Sequence, residues 1–240
     1  MLQKLFRLAL AAFAAGSFAS VAAQAQALPG AEWEAGKHYF LIDPPQPTTS
    51  GDKIEVTEVF SYGCPACNAS YPAIDKLRKE LPPNAVMNFV PASFNPAEDW
   101  PMFQRAYLAA KALGIADKTH DAMFDAVWKS GELATMDKTS GGLKNPQPSL
   151  DEAAKFYAKF GVKAEDFVAT ANSFTIGTRM KQADAYIKAA SVEQTPTIIV
   201  NGKYRVTTSS AAPGARDWAE AWNKTEQLIL FLVRKESAAK

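Results

Sequence analysis

Tyr71, Ile74, Leu77 and Leu81 recur every three or four positions, so CNASYPAIDKLRKEL (67–81) folds as a helix with one apolar face. Pro72 lies inside it and predicts a kink, and LPPN (81–84) ends it. On either side the period changes. KIEVTEVFSY (53–62) and AVMNFVPAS (85–93) are short runs of β-branched and aromatic residues bounded by polar turn residues, which predicts strands. If the two strands are parallel they need a crossover, and the helix supplies it.

The middle of the chain keeps the helical period. WPMFQRAYLAAKALG (100–114) ends on Gly114, a C-cap, and THDAMFDAVWKSG (119–131) opens on Thr119, an expected N-cap. SLDEAAKFYAKFG (149–161) carries Ser149 and Glu152 at capping-box spacing. KAEDFVATANS (163–173) and a run from Phe174 to Ala190 add two more helices. These helices interrupt an α/β pattern, as an inserted helical domain would. QTPTIIVNGKYRV (194–206) then returns to strands: TIIV and KYRV around Asn201-Gly202, a strong hairpin signal. A last helix, Asp217 to Lys235, carries Trp218, Trp222, Leu228, Ile229, Leu232 and Val233 and is expected to cover one sheet face.

The first residues follow another logic. Lys4 and Arg7 precede the apolar, small-residue stretch LALAAFAAGSFASVAA, and AQAQA supplies A-x-A cleavage patterns, so residues 1–27 are expected to be a secretory signal peptide. Cleavage after Ala25 or Ala27 leaves about 213 to 215 residues, enough for one large domain or one domain with an insertion. A net charge of +1 argues against nucleic acid as a partner. No phosphate-loop or dinucleotide-binding glycine motif is present.

Export places the two cysteines, Cys64 and Cys67 in GCPACN, in an oxidising compartment. A loop this small removes little entropy from the unfolded chain, so stabilisation explains the pair poorly. Redox chemistry and metal binding remain. At the start of the helix Cys64 would meet unpaired backbone N–H groups and the positive end of the macrodipole, which favour a thiolate. Cys67 lies one turn further in, within reach of Cys64. Pro65 suits the first turn because the N–H it lacks would be unpaired there anyway. A zinc site needs about four ligands. Only His38 and His120 could join the cysteines, neither at metal-ligand spacing, and both are expected to be ordinary surface or core histidines.

Strand, C-P-x-C, helix, a helical insertion, then T-P before a strand and an N-G-K-Y hairpin resemble the thioredoxin superfamily, and more closely its DsbA-type periplasmic thiol:disulfide oxidoreductases. The resemblance runs from about Gly36 to the C-terminus. It implies an α/β thioredoxin fold whose first part is 28–95 and second part 181–240, with the helical insertion at 96–180. It implies a nucleophilic Cys64, a buried resolving Cys67 and a cis-proline at Thr195-Pro196 facing the disulfide. Thr195 would offer its backbone to a substrate peptide as an added strand. Glu58 matches a buried acid that moves protons at the resolving cysteine, and Pro65, Ala66 and Tyr62 would border the substrate. Strong oxidants of the family carry histidine where this chain has Ala66, so a milder oxidant is expected. No basic partner for Glu58 is found on MNFVP. The implied partners are reduced, unfolded exported proteins and a quinone-linked membrane oxidase of the DsbB type. The protein is expected to be a monomer without nucleic acid, with the cysteines as its entire redox cofactor. A disulfide reductase or isomerase, or a metal- or peptide-binding module using the same site, is the alternative.

Overall fold

The computed structural model describes residues 33–239; the expected signal peptide lies outside them. Five strands form one sheet in the order β1-β5-β4-β2-β3, with β1 at Phe40–Leu41, β2 at Ile54–Phe60, β3 at Ala85–Pro91, β4 at Thr197–Val200 and β5 at Tyr204–Val206. β2 pairs parallel with β3, from Ile54 beside Ala85 to Phe60 beside Pro91, and antiparallel with β4. It is therefore a central strand, and all seven of its residues are buried. Helix α1 (Pro65–Glu80) is the crossover between β2 and β3, and it continues through Pro72.

Five helices lie between β3 and β4: α2 (Trp100–Ala112), α3 (Ala116–Trp128), α4 (Leu150–Ala158), α5 (Ala164–Ala171) and α6 (Phe174–Ala189). α2 is their hub, packing on the other four and touching β3. The Ser149–Glu152 capping box is formed in both directions, at 3.2 Å and 2.7 Å. Thr119 is a correction. It lies inside α3, fully buried, and its hydroxyl donates to the Ile115 carbonyl at 2.8 Å. Ala116 and Asp117 extend the helix one turn earlier, so the threonine satisfies itself by bonding back along the helix rather than by capping.

The hairpin turns where expected. Asn201 and Gly202 both have positive φ, 52° and 67°, and the Lys203 N–H donates to the Val200 carbonyl at 3.0 Å. A Cβ at Gly202 would run into the Gln46 backbone, so only glycine fits beneath the lead-in segment there. α7 (Thr208–Ala211) and α8 (Trp218–Ala238) complete the chain. α8 packs against β2, β4 and β5 and against α1, as its apolar stripe predicts. No helix among the described residues is long and apolar enough to cross a membrane.

Candidate active site

β2 delivers its chain to the helix start through a turn, Ser61–Gly63. The Cys64 N–H donates to the Ser61 carbonyl at 3.1 Å, and the Gly63 N–H to the Ser61 hydroxyl at 3.2 Å. Cys64 then occupies the N-cap of α1 with extended backbone, and Pro65 fills the first turn. The Cys64 sulfur accepts the Cys67 N–H at 3.3 Å, the bond a capping oxygen would make. From just before β4, the strand beside β2, the Thr195 carbonyl lies 3.4 Å from the same sulfur. The Thr195–Pro196 bond is cis and sits directly before β4. Segments 131 residues apart thus meet at one atom.

The two thiols are not equivalent. Hydrogen bonding from Cys67, then from Thr195 and the backbone N–H groups of Cys67 and Ala66, outweighs burial and brings the Cys64 pKa from 9.0 down to about 6. Burial, then the bond to Cys64 and the negative charges of Cys64 and Glu58, push Cys67 well up. Cys67 is fully enclosed, whereas Pro65 beside it is exposed and Ala66 and Thr195 are half-buried.

β2 carries two buried carboxylates with opposite character. Glu55 is pushed up by burial, but bonds from Ser50, Thr49 and Thr57 more than offset this and hold it below the usual range. The carboxyl group of Glu58, three residues on and so on the opposite face, has no hydrogen bond or ion pair among the described residues. Burial and then the Cys64 charge raise its pKa well above 4.5. The position beside it on β3 is Phe89, which is why no base could be matched on that strand.

Tyr62 is a second correction. Expected to border the substrate, it is 1 % exposed. Its ring turns into an aromatic cluster with Phe60, Phe103 and Phe124, and its hydroxyl meets His120 Nδ1 at 3.0 Å. Three side chains from the helical region, none assigned a role at this turn from the sequence, touch the segment before Cys64. They are His120, Trp128, whose indole N–H donates to the Tyr62 carbonyl at 2.7 Å, and Trp100, whose indole lies over Gly63. The only sequence signal for the last is a glycine directly before the first cysteine. His120 is a core histidine, its pKa lowered to about 3 by burial, and the His38 ring accepts the Glu34 N–H. Among the described residues no three His, Cys, Asp or Glu side chains gather in a metal-binding group.

A dithiol split between a helix N-cap and the end of its first turn, beside a cis-proline on a mixed sheet, defines a protein of the thioredoxin class. The Thioredoxin family model matches residues 52–218. Among curated proteins, the thiol:disulfide interchange protein DsbA of Pseudomonas aeruginosa is 34 % identical over 229 residues, covering 95 % of each chain. That of Azotobacter vinelandii is 30 % identical over 234 residues, covering 97 % of this chain and 99 % of its own. The crystal structure of the oxidoreductase DsbA from Xylella fastidiosa superposes with a TM-score of 0.73 at 33 % identity, over 86 % of this chain and 99 % of that one. The chain belongs to the DsbA family of the thioredoxin superfamily.

Proposed function

We propose that this protein is a thiol:disulfide oxidoreductase that donates the Cys64–Cys67 disulfide to reduced exported proteins. The observation that carries the reading is the asymmetry of the pair, a low-pKa sulfur at the helix start and a high-pKa sulfur behind it.

A substrate thiolate attacks Cys64 Sγ of the oxidised enzyme. The Cys64–Cys67 bond breaks, and its electron pair leaves on Cys67. Glu58, kept protonated by burial, is the nearby acid that supplies the proton, so Cys67 ends as a thiol. A second substrate thiolate then attacks the substrate sulfur of the mixed disulfide. Cys64 departs as a thiolate, a good leaving group because its pKa is low. The substrate gains one disulfide, and the enzyme holds the two electrons as a dithiol. Thr195, half-buried before the enclosed Pro196, presents its backbone to the substrate chain, while exposed Pro65 and half-buried Ala66 form the rim. Tyr62 acts from beneath rather than at the surface. The setting we propose is the periplasm, with the enzyme a monomer re-oxidised by a quinone-linked membrane oxidase of the DsbB type.

The test is the equilibrium of the pair against a glutathione buffer, read by thiol alkylation. A potential near about −120 mV matches a strong oxidant, and one near about −270 mV matches thioredoxin and replaces the donor reading by a reductase.

A further inference from the structure

One helix of the inserted region grips the chain on both sides of the cysteine pair. Before it, Trp128, the last residue of α3, donates its indole N–H to the carbonyl of Tyr62, two residues upstream of Cys64, at 2.7 Å. Two turns earlier on the same helix, His120 Nδ1 meets the Tyr62 hydroxyl at 3.0 Å. After the pair, α3 holds Tyr71 of α1. The Tyr71 hydroxyl donates to Asp125 at 3.2 Å, Lys129 donates to that hydroxyl at 2.9 Å, and the rings of Tyr71 and Phe124 stack at 5.2 Å with 8° between planes. His120, Phe124 and Trp128 are spaced by four and form one stripe of α3, and Asp125 and the capping residue Lys129, each one position further on, add the bonds to Tyr71.

The weak link in the gripped segment is Gly63. A Cβ there would stand 2.6 Å from Trp100 Nε1, and glycine restrains its own backbone least. Ser61 holds the two N–H groups of the turn from within, at 3.1 and 3.2 Å, and the Trp128 bond to the Tyr62 carbonyl holds the Tyr62–Gly63 peptide from outside it. It matters because the Cys64 sulfur makes its contacts at 3.3 and 3.4 Å. Swinging the turn by a few tenths of an ångström would weaken the bond from the Cys67 N–H.

We propose that Trp128 is a positioning residue for the redox pair: through the Tyr62 carbonyl, with His120 on the Tyr62 hydroxyl, it fixes Cys64 at the start of α1, where its thiolate is stabilised. The helical insertion thereby tunes a reaction to which it contributes no sulfur. The proposal rests on the reading of Cys64 as the exchanging sulfur.

Trp128→Phe keeps an aromatic ring and loses the N–H. In the reduced variant, thiolate absorbance against pH is expected to place the Cys64 pKa about one unit higher, and the glutathione equilibrium to move about tenfold toward a less oxidising pair. Trp218→Phe, at a partly exposed indole on α8, is expected to move neither. If Trp128→Phe fails to fold, replacing Trp128 by benzothienylalanine preserves the bicyclic shape without the N–H and carries the same expectation. A variant that loses stability in denaturant but keeps both the pKa and the equilibrium within about twofold of wild type overturns the proposal, because a purely structural contact lowers stability alone. The wild-type potential separates the two readings. A thioredoxin-like wild type whose pKa still shifts on substitution refutes the donor role and upholds the positioning role.

Discussion

Reducing the Cys64–Cys67 disulfide is expected to change stability with a sign that depends on pH. Two opposed effects set it. Opening the bond frees a loop of four residues in the unfolded chain, and the chain-entropy relation gives about 2 kcal/mol in favour of the oxidised form. The reduced form gains a thiolate held by the native fold. Lowering the Cys64 pKa from 9.0 to about 6 is worth about 4 kcal/mol when fully expressed, since each unit is about 1.4 kcal/mol. Because the folded pKa lies below the unfolded one, this stabilisation is complete above pH 9.0 and is lost as pH falls through about 6. Linkage gives about 1.4 kcal/mol at pH 7 and about 3 kcal/mol at pH 8.5. The oxidised protein is therefore the more stable one at pH 5, the reduced protein at pH 8.5, and the two cross between about pH 7 and 8. Above that window Cys67, whose folded pKa is raised, begins to charge in the unfolded chain and erodes the advantage.

The assay is urea denaturation of the oxidised and the reduced protein at pH 5, 7 and 8.5, with reductant excess confirmed by alkylation. A difference that stays constant across this range, whichever form it favours, refutes the reasoning. It would mean that Cys64 titrates in the fold as it does in the unfolded chain, and that the bonds from Cys67 and Thr195 do not hold a thiolate.

Cys67→Ser is expected to accumulate a mixed disulfide on Cys64 when mixed with oxidised glutathione, visible as a single adduct by mass spectrometry; absence of the adduct argues against Cys64 as the exchanging sulfur. Glu58→Gln removes the only proton donor we assign to the departing Cys67, so the rate of substrate oxidation is expected to fall by about 10²-fold while the Cys64 pKa stays near about 6. An unchanged rate between pH 6 and 8 removes Glu58 from the mechanism. Gly63→Ala places a methyl group against the Trp100 indole and is expected to cost about 1–3 kcal/mol in urea denaturation. The double variant with Trp100→Phe is expected to recover part of it, and no recovery means that the strain lies elsewhere.

What the sequence made legible is what lies close together along it. The strand before the cysteines, the helix after them and the T-P-hairpin unit are each contiguous, so period and turn chemistry placed them, and the family resemblance joined the two halves across the sheet. The side chain of Glu58 could not be placed this way. IEVTEVF has Glu55 and Thr57 on one parity and Glu58 on the other, and a strand buried on both faces shows no alternation to choose between them. β1, two residues long and paired only with β5, is too short to show a period at all. Tyr62 failed for the opposite reason, because nearness in sequence to Cys64 was read as nearness to the substrate. The turn at Ser61–Gly63 sends it inward, toward partners 58 and 66 residues away. Nothing local ties a tyrosine at the end of a strand to a histidine and a tryptophan on a later helix. Those residues read as ordinary core in the sequence, and only the packing of α3 against α1 gives their polar atoms a target. The same argument fixes where tuning of this site must be sought. With the Ala66 side chain unable to donate a bond to the thiolate, the control of Cys64 falls to the bonds from Cys67, Thr195 and the Ala66 N–H, to Ser61 within the turn and, one step removed, to Trp128 of the insertion through the Tyr62 carbonyl.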